Sequence, residues 1–272
     1  MTPAPMQGIA YSMIRRVTDQ HTARPWGRIS AALVAAVFTV TPTSVLAQAV
    51  EDHGVQRLDP VPFTSVRFTD RFWAPRIETN RRVTIPYDFQ KCEETGRISN
   101  FEKAGGHITG EFEGIYYNDS DVYKVIEGAA YSLAQQPDPD LEAYLDALIA
   151  KIAAAQEDDG YLNTYHTLVT PDRKLPDIRV KHELYCAGHL IEAAVAHHQA
   201  TGKRNLLDVA IRLADHIDSV FGEDGKHEPP GHQEIEIALV KLADETGEQR
   251  YFDLAEFFVD QRGRAENHEV YG

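Results

Sequence analysis

A chain of 272 residues, 43% of them hydrophobic, is long enough to bury a real core, in one large domain or two small ones. Its formal net charge of -15 makes it a poor nucleic-acid binder and suits a neutral, soluble ligand. The two cysteines, Cys92 and Cys186, leave one disulfide open, but Cys186 falls mid-helix on a buried stripe and reads as a free thiol.

The first 47 residues read as an export signal. Arg15, Arg16, Arg24 and Arg28 precede an apolar run at 29–40, and small residues follow, with Val45-Leu46-Ala47 as the cleavage site. The run falls short of the roughly 20 residues that a membrane span needs, so no stable anchor remains after cleavage. The expected location is secreted or periplasmic. The segment carries four arginines and one aspartate, so its removal takes the net charge from -15 to -18. Residues 48–62 are polar, without periodicity, and read as a mature tail.

The stretch 63–73, FTSVRFTDRFW, alternates and predicts an extended segment. Residues 76–84 predict the start of a helix that Pro86 ends. The glycines Gly96, Gly105, Gly106, Gly110 and Gly114 make 92–114 a long structured loop. Asn118-Asp119-Ser120-Asp121 then opens a helix, with side chains suited to capping and to the helix dipole. Pro137-Asp138-Pro139 breaks it, and 141–156 returns as a second helix. Residues 158–165, DDGYLNTY, form a turn and an aromatic, polar loop.

The next stretch, HELYCAGHLIEAAVAHHQATG, runs from His182 to Gly202. Leu184, Gly188, Ile191 and Val195 share one helical face. The opposite face, with His182, Cys186, His189 and Ala193, is hardly more charged, so this helix is expected to be buried on both sides. The following helix carries a single apolar stripe, Leu206, Val209, Ala210, Leu213 and Ile217, and is expected to be half exposed. A third hairpin begins at Pro229-Pro230-Gly231-His232 and runs through QEIEIALVKLADETG and EQRYFDLAEFFVDQRG.

The hairpins repeat. TGKRNLLDVA (201–210) matches TGEQRYFDLA (246–255) at a period of 45. Helical hairpins at this spacing build a solenoid or a closed ring. Alternating buried and half-exposed helices favour the ring, so the fold class is all-α. In a ring the inner helices run the same way and start at one mouth, which brings Asp119, Asp121, His182 and His232 to one rim.

Three groups of residues have the spacing of chemistry. His182, Cys186 and His189 lie at i, i+4 and i+7 on one side of a helix, as metal ligands do, although buried histidines bonded to backbone explain them as well. Asp119 with Asp121, or Glu234 with Glu236, offers the paired carboxylates of glycoside cleavage, although acids in a first helical turn are expected for capping alone. The result is a helical ring with a polar mouth lined by histidine and tyrosine, compatible with a sugar.

The series TGRISNFEKAGG, DSDVYKVIEGAAYSLA, AQEDDGYLNTY, HELYCAGHLIEAAVAHHQATG and PGHQEIEIALVKLADETGEQRYFDLAEFFVDQRG resembles glycoside hydrolase family 127 over 63–263. The resemblance implies a β-L-arabinofuranosidase with an (α/α)6 barrel followed by β-sandwich domains, acting on arabinose-containing oligosaccharides. It implies that His182 and His232 contact the sugar; the ring geometry, not the resemblance, sets Asp119 and Asp121 beside them as further substrate-binding candidates. It further implies a retaining mechanism with a cysteine thiolate nucleophile, a glutamate acid/base and a zinc ion. Those groups lie in the second half of the barrel and have no counterpart here, so neither a catalytic nor a metal role passes to Cys92 or Cys186. About three of six hairpins are legible, and the expectation is 1–47 signal peptide, 48–62 tail and 63–272 the N-terminal part of a barrel, a fragment. Another (α/α)-barrel carbohydrate enzyme, such as an epimerase, lyase or glucuronyl hydrolase, and a non-catalytic sugar-binding protein are the alternatives.

Overall fold

The computed structural model describes residues 60–264; the export segment and all but the last three residues of the tail lie outside them. Every regular element among the described residues is helical, and the one β-bridge, Phe221 to Lys226, is isolated. No described helix is long and apolar enough to cross a membrane.

The N-terminal part departs from the expectation. Phe63–Ser65 is a 3-10 turn, not a strand, and the Arg67 guanidinium braces it by donating to the carbonyls of Thr64 and Val66. Asp70 Oδ1 accepts from the backbone N–H groups of Phe72 and Trp73 and starts helix α1, Trp73–Thr79. A π-helical segment, Asn80–Thr84, leads from it into α2, Ile85–Glu94. Pro86 therefore does not end a helix. The wider π turn just before it resets the hydrogen-bond register, so its missing N–H falls in the opening turn of α2, where a donor is dispensable.

The glycine-rich loop is also shorter than expected. Arg97–Ala104 forms α3, because Ile98 and Phe101, three residues apart, are both fully buried. The true loop, 105–118, is clamped by Asn100. Its amide donates to the Glu113 carbonyl at 2.9 Å, and its oxygen accepts from the Glu113 N–H at 3.0 Å.

Three hairpins follow: α4 (Asp119–Gln135) with α5 (Pro139–Ala154), α7 (Glu183–Thr201) with α8 (Asn205–Val220), and α9 (Ile235–Thr246) with α10 (Gln249–Arg262). A short α6, Thr164–Val169, lies between the first two. Helices α4, α7 and α9 pack side by side as an inner layer, and α5, α8 and α10 form the layer behind. Flanked by α4, α9 and α8, α7 is buried nearly all round, as its low charge predicts. This is part of an (α/α)6-type helical barrel.

The sequence repeat is a repeated chain reversal. Thr201 Oγ1 donates to the His197 carbonyl, and Thr246 Oγ1 to the Leu242 carbonyl, both at 2.7 Å. Each hydroxyl then accepts from the N–H two residues on, that of Lys203 or Glu248. Between them Gly202 and Gly247 take left-handed conformations, with φ of 75° and 77°.

Candidate functional site

The loops preceding α4, α7 and α9 meet, so the three inner helices start at one end of the barrel wall. His182, the residue before α7, lies with its ring 5.2 Å from Tyr117, before α4, and 6.4 Å from His232, before α9. Tyr185, in the first turn of α7, sits 4.6 Å from His232 and 4.5 Å from His189. Tyr116 and Tyr165 continue this aromatic band, and Lys181 lies 5.0 Å over Tyr116. Lys124 of α4 covers the Tyr185 ring at 4.8 Å.

His182 is held in an unusual way. With φ 58° and ψ 24° it is left-handed, a conformation that costs a non-glycine residue roughly 1–2 kcal/mol. Its Nδ1 is 2.6 Å from the Val180 carbonyl. A carbonyl only accepts, so Nδ1 carries the proton and Nε2 is left to face a ligand. His232 is exposed on the same rim.

The two aspartates separate. Asp121 reaches the surface and pairs with Arg97 at 2.7 Å. Asp119 does not line the rim. It is 2% exposed, and its two oxygens accept from the backbone N–H and the hydroxyl of Thr164 at 2.8 and 2.5 Å. Burial pushes its pKa up to about 6, against those bonds. Neither residue caps α4, and Asn118, at its start, instead donates to the Glu113 carbonyl.

Glu234 and Glu236 separate too, since side chains two positions apart at a helix start point to nearly opposite sides. Glu236 is buried and accepts two hydrogen bonds from the Arg262 guanidinium of α10. Glu234 instead faces His189, with Oε1 3.2 Å from Nδ1. Gly188 makes this possible: a Cβ there would lie 2.6 Å from Glu234 Cγ and 3.1 Å from its backbone carbonyl carbon. Burial, reinforced by the charges of Glu192 and Glu127, pushes Glu234 up to about 7. Burial, then Lys124 and His232, pushes His189 down to about 4. Both shifts oppose charge, so the contact is a close approach of two groups that burial holds toward neutrality rather than an ion pair.

The spacing of His182, Cys186 and His189 is not a ligand set, because each turns to its own partner. Cys186 Sγ lies 3.7 Å from the Tyr117 carbonyl, beside the anchors of His182 and His189 already described. Among the described residues no three His, Cys, Asp or Glu side chains converge as a metal site. Both cysteines are buried free thiols. Burial pushes Cys92 up to about 11 and Cys186 higher than an ordinary thiol, so neither is a thiolate near neutral pH.

The rim is thus two histidines on an aromatic band, flanked by lysines and by a near-neutral Glu–His pair. Aromatic faces take the apolar C–H side of a sugar, and imidazole and carboxyl groups take its hydroxyls. Helical periodicity alone does not single out Tyr117, Tyr185, Lys124 or the His189–Glu234 pair. The nearest signal is aromatic residues placed immediately before or inside the first turn of each inner helix.

The family model described as the GH127 β-L-arabinofuranosidase catalytic domain matches residues 65–270. The chain is 48% identical over 225 residues to a non-reducing end β-L-arabinofuranosidase of Bifidobacterium longum subsp. longum, covering 74% of this chain and 34% of that protein. It therefore spans about a third of the length of this curated relative. The crystal structure of a GH127 β-L-arabinofuranosidase from Geobacillus stearothermophilus T6 aligns with a TM-score of 0.71 at 45% identity, over 72% of this chain and 32% of that one. A second solved GH127 β-arabinofuranosidase aligns with a TM-score of 0.70 at 50% identity, over 75% and 34%. With its family match covering most of the barrel wall just described, the chain belongs to the GH127 β-L-arabinofuranosidase catalytic-domain family.

Proposed function

We propose that the described residues form the sugar-holding rim of an exported β-L-arabinofuranosidase acting on arabinose-bearing oligosaccharides. The observation that carries this reading is the meeting of His182 and His232 across the starts of two inner helices, with ring centroids 6.4 Å apart. One imidazole accepts from a sugar hydroxyl through Nε2, the other bonds a neighbouring hydroxyl, and the tyrosines take the apolar face of the ring. The family match favours an arabinofuranosidase over other (α/α)-barrel carbohydrate enzymes. Export rests on the pattern of residues 1–47, outside the described residues.

The retaining mechanism with a cysteine nucleophile and zinc, implied by the family resemblance, finds no fitting residues in this stretch. The two thiols are buried and protonated, and no donor set converges among the described residues. The chemistry assigned to these residues is therefore binding and orientation.

Calorimetric titration with methyl β-L-arabinofuranoside tests this. His182→Ala and His232→Ala are each expected to weaken binding about tenfold, the equivalent of one hydrogen bond of about 1.4 kcal/mol, with the melting temperature preserved. Unchanged affinity in both folded variants refutes the reading.

A further inference from the structure

We infer that Glu183 is the positioning residue for both rim histidines: its carboxylate closes the loop 175–183, which carries His182 directly and supports His232 through Gly231. The inference deepens the sugar-rim reading and rests on it.

Glu183 is the first residue of α7, yet it is only 4% exposed and makes no capping bond to its own helix. Oε1 instead accepts from the Tyr161 hydroxyl at 2.6 Å and from the Leu175 N–H at 2.8 Å. Oε2 lies 3.5 Å from His166 Nε2 of α6. Oε1 therefore ties the loop after α5 to both ends of the loop 175–183, while Oε2 faces His166 without a hydrogen bond. Helix capping would be served equally well by an exposed acid, so it does not account for burying a carboxylate here.

The loop so closed is strained at both ends. Leu175, with φ 49°, and His182, with φ 58°, are the two non-glycine residues of positive φ among the described residues. Such backbone persists only where its surroundings over-determine it. Leu175 is fixed by its N–H to Glu183 and by its carbonyl, which accepts from Lys226 Nζ at 2.9 Å. His182 is fixed by its ring bond to Val180 and by Glu183, the next residue.

The same loop bears the segment that carries His232. The Gly231 N–H donates to the Ile178 carbonyl at 3.2 Å. A Cβ on Gly231 would lie 1.8 Å from the Arg179 carbonyl oxygen, so the Pro-Gly-His segment lies directly on the loop. If the loop is released at Glu183, both imidazoles lose their reference.

Glu183→Met tests this in the full chain. Methionine keeps nearly the same volume but has no oxygen to accept from the Tyr161 hydroxyl and the Leu175 N–H, so the loop loses the bonds that close it. NMR of the ring nitrogens reports the two histidines without any ligand, and titration with methyl β-L-arabinofuranoside reports binding. The expected variant melts cooperatively, loses the sharp Nδ1–H signal of His182, shifts the His232 ring signals and binds the sugar at least tenfold more weakly. Tyr161→Phe removes one of the two donors and is expected to give a smaller change of the same kind. A purely structural role lowers the melting temperature but leaves the ring signals of the folded protein in place. That result in Glu183→Met overturns the inference, or in Tyr161→Phe if Glu183→Met does not fold. Absence of sugar binding by the unaltered chain refutes the sugar-rim reading instead, and the ring signals still decide the role of Glu183.

Discussion

Replacing Glu234 with glutamine should stabilise the protein, and only at neutral to alkaline pH. Its side chain is 17% exposed and stands near Glu192 and Glu127, with Lys124 and Lys241 offsetting part of their repulsion. Its carboxyl is carried from an ordinary 4.5 up to about 7. Between these values the unfolded chain has released the proton and the folded chain retains it. Folding stability therefore falls as pH rises from about 4.5 to about 7, and the whole deficit persists above pH 7. At 1.36 kcal/mol per pH unit the full shift corresponds to roughly 3 kcal/mol, and solvent at the rim reduces it to about 1–3 kcal/mol. Glutamine has the same shape and carries no charge. The variant should melt several degrees higher than the parent at pH 8, at about 2–4 °C per kcal/mol for a domain of this size, and equally near pH 4.5. His189 titrates with the opposite sign, losing stability as pH falls below 6.5, but it is present in both proteins. Calorimetric melts between pH 4.5 and 8.5 measure the difference. A variant that melts lower at pH 8, or a difference independent of pH, refutes the account of a destabilised carboxylate.

Gly231→Ala should lower stability by about 1–3 kcal/mol and weaken sugar binding, since its Cβ would need the space of the Arg179 carbonyl and would lift His232 off the loop. Chemical denaturation and calorimetric titration check the two effects, and an unaltered sugar affinity would contradict the proposed support. Asp119→Ala should cost about 2 kcal/mol in urea unfolding by orphaning both Thr164 donors, with Asp119→Asn costing less because its amide oxygen still accepts. Equal losses in the two variants would show that the Thr164 bonds are not what Asp119 contributes.

Much of the architecture was legible in the residues. Low charge on both faces of α7 gave its burial, the single stripe of α8 gave its place in the outer layer, and the Thr-Gly repeat gave the chain reversals after α7 and α9. These features are local, because a helix face and a cap are set by residues within a turn or two. The meeting of His182 and His232 also followed locally, once the inner helices were taken to run the same way, whereas Asp119, expected beside them, is buried against Thr164. The extended segment before α1 and the stop at Pro86 did not survive, because neighbours decided them: Arg67 braces a turn, and a π segment absorbs the proline. The roles of the acids were equally out of reach. Asp119 and Asp121, or Glu234 and Glu236, look alike in sequence. Their separation depends on Thr164, Arg97, His189 and Arg262, all between 24 and 45 positions away in the chain. Periodicity says which side of a helix a carboxylate occupies, but the partner that meets it there, and so its charge and its task, exists only once distant segments have packed.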